Sequence, residues 1–381
     1  MAAQFINLNV IRSNISFANI IGVTSPIWIF LSGFLITRHL DIGTRGVYAE
    51  YQIIISSCAY WMTLGSHFTI PKYKHTFSIP IINTFIVISS LSAAFVSLFF
   101  TEFSSLIFFT VLTSTSVLLI STVYVTYTST KIYFLSRGLS FFTHTLIILF
   151  LIILKKLTLS NILATMIFTN IIIISPYLWL EKKLLVGISE LFFVIVSKWR
   201  YMFLNLQMWM MSTFDKFIFM IILPKSDLAL YVVVLSIFQI PVSFCETLLP
   251  KLLNLTINGT KVPWKFLKYY SLFLIIGLIF ITFFTNKLLA LFYEEKYFAN
   301  QNILIFFFFL VLFRSLLKVL QEPLRIKISA GKLFLINCLI VAQGLILIEN
   351  NSYEDFLTQV IIILPIMSMC LITFLMLRLV R

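Results

Sequence analysis

The sequence predicts an all-α polytopic membrane protein, with about twelve transmembrane helices in two pseudo-symmetric six-helix lobes around a central cavity. Three observations carry that reading. Hydrophobic residues make up 60% of the 381 and charged residues only 11%, too little polar side chain to cover a water-soluble globule. The apolar residues, 41 Phe among them, fall in runs long enough to cross roughly 30 Å of hydrocarbon, for which a helix needs about 20 residues. Brief segments between the runs hold nearly all the Lys, Arg, Asp and Glu, which is the hydropathy pattern of a bundle of spanning helices.

Taken in order, the first predicted span is 16–37. It lacks a small-residue cleavage site and further spans follow, so it reads as a retained helix and not as a signal peptide. Spans two to four are predicted at 49–70, 79–100 and 104–128, a short fifth at 139–154, and a sixth at 158–180. The longest polar stretch, Glu181 to Arg200, comes next and still holds the apolar patch Leu191-Phe192-Phe193-Val194-Ile195-Val196. It reads as an interfacial linker, dividing the chain into an N-terminal lobe (1–185), the linker (186–200) and a C-terminal lobe (201–381). The second six spans are predicted at 201–223, 228–249, 267–290, 302–321, 332–348 and 356–377, the eleventh again short.

The net charge of +14 would point to nucleic acid in a soluble protein. Here the positive-inside bias absorbs most of it. With the N-terminus in the cytoplasm, most loop cations fall on that side, including Lys72, Lys74, Lys182, Lys183, Lys198, Arg200, Lys251 and Lys261, whereas acids such as Asp41, Glu102, Asp227, Glu294 and Glu295 fall opposite. The expected topology is N-in and C-in, with no nucleic-acid partner.

The two halves echo each other. Gly43-Thr44-Arg45-Gly46-Val47-Tyr48 follows span one, and its helix ends at Ile70-Pro71-Lys72. Ser226-Asp227-Leu228-Ala229-Leu230-Tyr231 follows span seven, and its helix ends at Leu249-Pro250-Lys251. A second echo links Lys131–Gly138 with Arg325–Lys332, each placed as a basic turn between the fourth and fifth helices of its half. An even number of spans per half inserts both copies in the same direction, so the halves relate by an axis along the membrane normal with a cavity between them.

On these residues, together with Asp215-Lys216, Leu223-Pro224 and the run to Tyr231, the chain resembles a Wzx-type polysaccharide flippase of the multidrug/oligosaccharidyl-lipid/polysaccharide exporter superfamily. The resemblance covers most of the chain and is diffuse. It implies a MATE-like bundle in a bacterial inner membrane that opens alternately to each side. The cargo it implies is an undecaprenyl-diphosphate-linked oligosaccharide, such as an O-antigen or capsule repeat unit bound for lipopolysaccharide or capsule, passed from the cytoplasmic to the outer leaflet. Membrane lipids, a polysaccharide polymerase and a chain-length regulator are the further partners it implies.

A sugar diphosphate cannot enter hydrocarbon unaided, so ionisable groups within spans are the first candidates for its path. Arg314 and Lys318 lie i, i+4 on span ten with Glu322 one turn on, all on one face. Two cations so placed can meet a diphosphate, or Lys318 and Glu322 can snorkel and pair at the interface. Asp215 and Lys216 on span seven point about 100° apart, serving either the cavity or an interhelical ion pair. Gln207, Asn205 and Gln239 can hydrogen-bond sugar hydroxyls or act as helix–helix glue. Glu246 and Glu50, near span ends, are candidates for ion coupling or for a structural pair. His67 and His144 read as core or interface residues, and Tyr60, Trp61, Trp179 and Trp209 as sugar-stacking rings or aromatic belts.

Two other function classes compete. A small-molecule antiporter of the same superfamily needs a coupling acid deep in the N-terminal half, where Glu50 near a span end is the one acid within a span. A membrane polysaccharide polymerase needs a sizeable external loop with catalytic groups, and the outer segments are short and poor in Arg and His. Cys58, Cys245, Cys338 and Cys370 lie in apolar runs without metal or disulfide spacing. Neither a metal nor a cofactor is expected, and the chain does not read as an enzyme.

Overall fold

The computed structural model describes residues 17–63, 70–71, 79–100, 105–127, 130–180, 223–247, 249–250 and 264–292, with isolated positions between 209 and 221 and between 304 and 319. Eight long helices stand in these residues: α1 (Phe17–His39), α2 (Ile42–Met62), α3 (Ile79–Ser97), α4 (Ser105–Tyr127), α5 (Thr130–Ile153), α6 (Leu159–Leu180), α7 (Lys225–Glu246) and α8 (Trp264–Phe292). No strand occurs among the described residues. Six of the helices, α3 to α8, are long and apolar enough to cross a membrane. The chain is a multi-pass helical membrane protein. Predicted spans eleven and twelve and the linker lie outside the described residues.

Three boundaries differ from expectation. Helix α2 begins at Ile42, not 49, and ends at Met62, not 70. Its start is set by Asp41, whose carboxylate accepts from the Thr44 backbone N–H at 2.9 Å, so the Gly43–Tyr48 stretch is helix and not loop. Hydrogen bonds from the Thr44 side chain first, and then from its backbone N–H, hold the Asp41 carboxyl below the ordinary aspartate range. Arg45, expected in an outer loop, is instead buried in α2, donating from Nε to Thr37 Oγ1 of α1 at 2.9 Å. The short fifth span is in fact the 24-residue α5, which begins at Thr130 and takes in the supposed basic turn. Arg137 is tolerated there because its guanidinium donates to the Tyr133 hydroxyl and lies 5.7 Å and 5.6 Å from the Tyr133 and Phe141 ring centres, one turn before and after it.

Among the described residues large apolar side chains are exposed, as on a surface solvated by lipid, while hydroxyls are buried among the apolar core groups. Phe95, Phe150, Ile153, Phe273 and Phe283 are exposed, Phe283 at 80%. Buried hydroxyls on α4 bond back to their own helix, as from Thr110 to the Leu106 carbonyl at 2.6 Å and from Thr115 to that of Val111 at 2.8 Å, which satisfies them without water. Others tie helices together. Ser90 meets Ser116 at 2.9 Å, Asn170 donates to Thr113 and Ser114 at 3.1 Å each, and the Tyr124 hydroxyl donates to the Ile173 carbonyl at 3.0 Å. Within the first six helices, α1 packs on α5, α3 on α4, and α6 on both α4 and α5. Helix α7 then packs across this group on α2 and α1, and α8 packs on α7.

The α7–α8 contact is tight because Gly277 faces Pro241, where an added Cβ would lie 2.8 Å from the proline Cβ. A core of Ala49, Ile53, Leu228, Ala229, Tyr231, Val234, Phe238, Leu274, Leu278 and Phe307 joins α2, α7, α8 and the described part of predicted span ten. Cys58 and Cys245 are free and buried, as expected of small hydrophobes. His144 is also buried.

Candidate functional site

Where α1, α2 and α7 meet, they line an open-sided cavity of about 230 Å³. Each helix supplies one face, and the periodicity of each dictates which residues appear. From α2 come Ala49, Gln52, Ile53 and Ser56, and from α7 come Val232, Leu235, Ser236, Gln239, Ile240 and Ser243, both sets at i, i+3, i+4, i+7 spacing. Helix α1 contributes Pro26, Ile29, Phe30 and Gly33, and Lys216 enters from predicted span seven.

The cavity is therefore two-sided. Its α1 wall is apolar. Its α2 and α7 walls present two carboxamides and three hydroxyls, with one ammonium alongside. Two of the hydroxyls are anchored, Ser56 to the Ile53 carbonyl at 3.0 Å and Ser236 to the Val233 carbonyl at 2.6 Å, which leaves their oxygens able to accept. No carboxylate stands among the described lining residues.

At one end of the cavity α2 and α7 close upon each other. The Lys225 ammonium, on the first residue of α7, forms an ion pair with Glu50 of α2. Gly46, one turn before Glu50, lies so near that an added Cβ would overlap the carbonyl oxygen of Lys225. The starts of the two helices thus meet, and the helices then flank the same cavity side by side, so they run parallel. At the other end of α7, Glu246 lies within electrostatic reach of Arg137 on α5.

Beside the site, Trp61, Phe100, Trp209 and Phe217 form a ring cluster with centroids 5.1 to 6.2 Å apart. Trp209 is fixed by donating from Nε1 to Ser57 Oγ at 2.9 Å. These rings pack mostly edge to face among themselves, so the described Trp61 and Trp209 serve helix packing here.

Of the residues singled out from sequence, Lys216 and Gln239 come together at the cavity. Glu50 does not line it but pairs at its end. Glu246 is half-buried at the last residue of α7. Arg314 is half-buried beside Val311 and Ser315 and does not line the cavity. Gln207, Asn205, Asp215, Lys318, Glu322 and His67 lie outside the described residues. Gln52, Ser56, Ser236 and Ser243 were missed by sequence reasoning, although a polar stripe at helical spacing within two apolar runs was a signal that could have found them.

Compared with known proteins, the chain is similar in fold to the crystal structure of a mutant of VcmN, a MATE transporter from Vibrio cholerae, with a TM-score of 0.60 and 11% sequence identity over 95% of both chains. No family model and no curated protein sequence matches it.

Proposed function

We propose that this MATE-like bundle is a flippase that passes a polyprenyl-diphosphate-linked oligosaccharide from the cytoplasmic to the outer leaflet of a bacterial inner membrane. The reading takes the chain as two lobes, 1–185 and 201–381, joined by the linker 186–200, opening alternately with the N- and C-termini in the cytoplasm. The observation that carries it is the cavity's make-up: an apolar wall, a wall of amides and hydroxyls, and Lys216, with no acid among the described lining residues. An anionic amphiphile with a sugar headgroup matches all three parts. The polar wall replaces water for the hydroxyls, the ammonium offsets phosphate charge, and the apolar wall borders the chain.

The small-molecule antiporter shares this fold, and for a cationic cargo it needs an acid at the cavity. Glu50, the acid it would use, is committed to Lys225. The polymerase alternative receives no support from a fold shared with a transporter.

A headgroup with about two negative charges gains roughly 4.6 kcal/mol in moving outward across an inside-negative potential of about 100 mV. The potential alone can therefore drive the step. The test is reconstitution of purified protein in liposomes with a labelled polyprenyl-diphosphate oligosaccharide, following exposure of the sugar to an impermeant reagent. Protein-dependent exposure, faster with the favourable potential, supports the assignment. Equal exposure with and without protein overturns it.

A further inference from the structure

The contact between the starts of α2 and α7 is unlike the rest of their interface. Further along, both helices line the cavity, and Ala49 and Ile53 of α2 pack in one core with Leu228 and Ala229 of α7. At the contact itself, backbone meets backbone. Gly46 admits the Lys225 carbonyl only because it has no Cβ, and Glu50, one turn further along the same helix, holds the Lys225 ammonium. The Lys225 side chain is 51% exposed and that of Glu50 23%. A pair this wet adds little to stability. It does sit at the end of the cavity where α2 and α7 begin.

From this geometry we infer that Gly46 and the Glu50–Lys225 pair form a reversible seal, closing the cavity at the end where α2 and α7 begin and parting when it opens on that side. The inference rests on the transport reading above in taking the cavity to open at both ends. A glycine lets two helix backbones meet without interlocking side chains, and an exposed ion pair exchanges readily for water. Both properties suit a contact that is made and broken in each cycle. The Tyr231, Phe238 and Leu274 core below is built the other way, from interdigitated apolar groups.

The experiment places a single cysteine at Ser236, which lines the cavity, in a background with the native cysteines replaced, and measures labelling by a membrane-impermeant maleimide in spheroplasts and in inside-out vesicles. Gly46→Val, which cannot seat its Cβ, and Glu50→Gln, which removes the charge pair, should each raise labelling from one face by about fivefold or more. The charge exchange Glu50→Lys with Lys225→Glu should return labelling toward the parent rate. Unchanged labelling from both faces in Gly46→Val and Glu50→Gln overturns the seal. If Gly46→Val does not fold, Glu50→Gln and the exchange pair, at a partly exposed site, decide the matter. Labelling reports opening without any cargo. A shift in labelling with no flipping in liposomes would therefore sink the transport reading and leave the seal standing, whereas flipping without any shift would do the reverse.

Discussion

Arg45 of α2 donates from its Nε to the Thr37 hydroxyl of α1 at 2.9 Å, both residues being buried. The guanidinium also lies 5.1 Å from the centre of the Tyr48 ring. A buried cation depends on each such contact. Thr37→Val keeps the shape and removes the acceptor, so it should destabilise the protein by about 1–3 kcal/mol. The check is the thermal midpoint in detergent, with Thr37→Ser expected to retain most of the parent value.

Lys216 is the one cation among the described residues lining the cavity. A charge-assisted contact to phosphate is worth roughly 1.5–3 kcal/mol, so Lys216→Gln should slow flipping of a diphosphate-linked cargo about tenfold or more while membrane levels stay normal. Lys216→Arg should retain more activity. Parent-rate flipping by Lys216→Gln would remove this residue from the mechanism.

Lys155 ends α5 in the left-handed region, at φ 56°. The turn around it is closed by the Lys156 backbone N–H donating to the Leu151 carbonyl at 2.8 Å and by the Asn161 amide donating to the Lys156 carbonyl at 2.7 Å. A Cβ in this conformation costs about 1 kcal/mol that glycine avoids. Lys155→Gly should therefore raise the thermal midpoint. Asn161→Ala should lower it.

Asp41 caps α2, and its carboxyl is held low first by its bond with Thr44. A folded-state value below the unfolded one means that the stabilisation is complete above the unfolded value near 3.9 and is lost as pH falls through the folded one. Asp41→Ala should cost about 1 kcal/mol at neutral pH. The gap between variant and parent melting midpoints should then close in acid.

The multi-pass helical bundle was legible in the sequence because long apolar runs and charged punctuation are set by the bilayer itself. One of the echoes has a counterpart among the described residues. Tyr48 and Tyr231 each lie six residues beyond the first residue of their helices, Ile42 and Lys225, and both are buried. What misled was charge within helices. Arg45 and Arg137 look like loop residues to any hydropathy count, and only the Thr37 hydroxyl and the Tyr133 and Phe141 rings make a helical place for them. The cavity was half legible. Lys216 and Gln239 stand out because ionised or amide groups are rare in apolar runs, but serines hide there, since a hydroxyl that can bond its own backbone carries almost no hydropathy signal.

Helix α8 is 29 residues long, and its most apolar stretch, Lys268–Leu291, has 24. At about 1.5 Å per residue that stretch measures roughly 36 Å, several ångströms more than the hydrocarbon of a typical membrane. Only 28% of that stretch is buried. A stretch of that length spans with some tilt, and the packing of α8 on α7, where Gly277 seats it against Pro241, sets the slope rather than the length of the acyl chains.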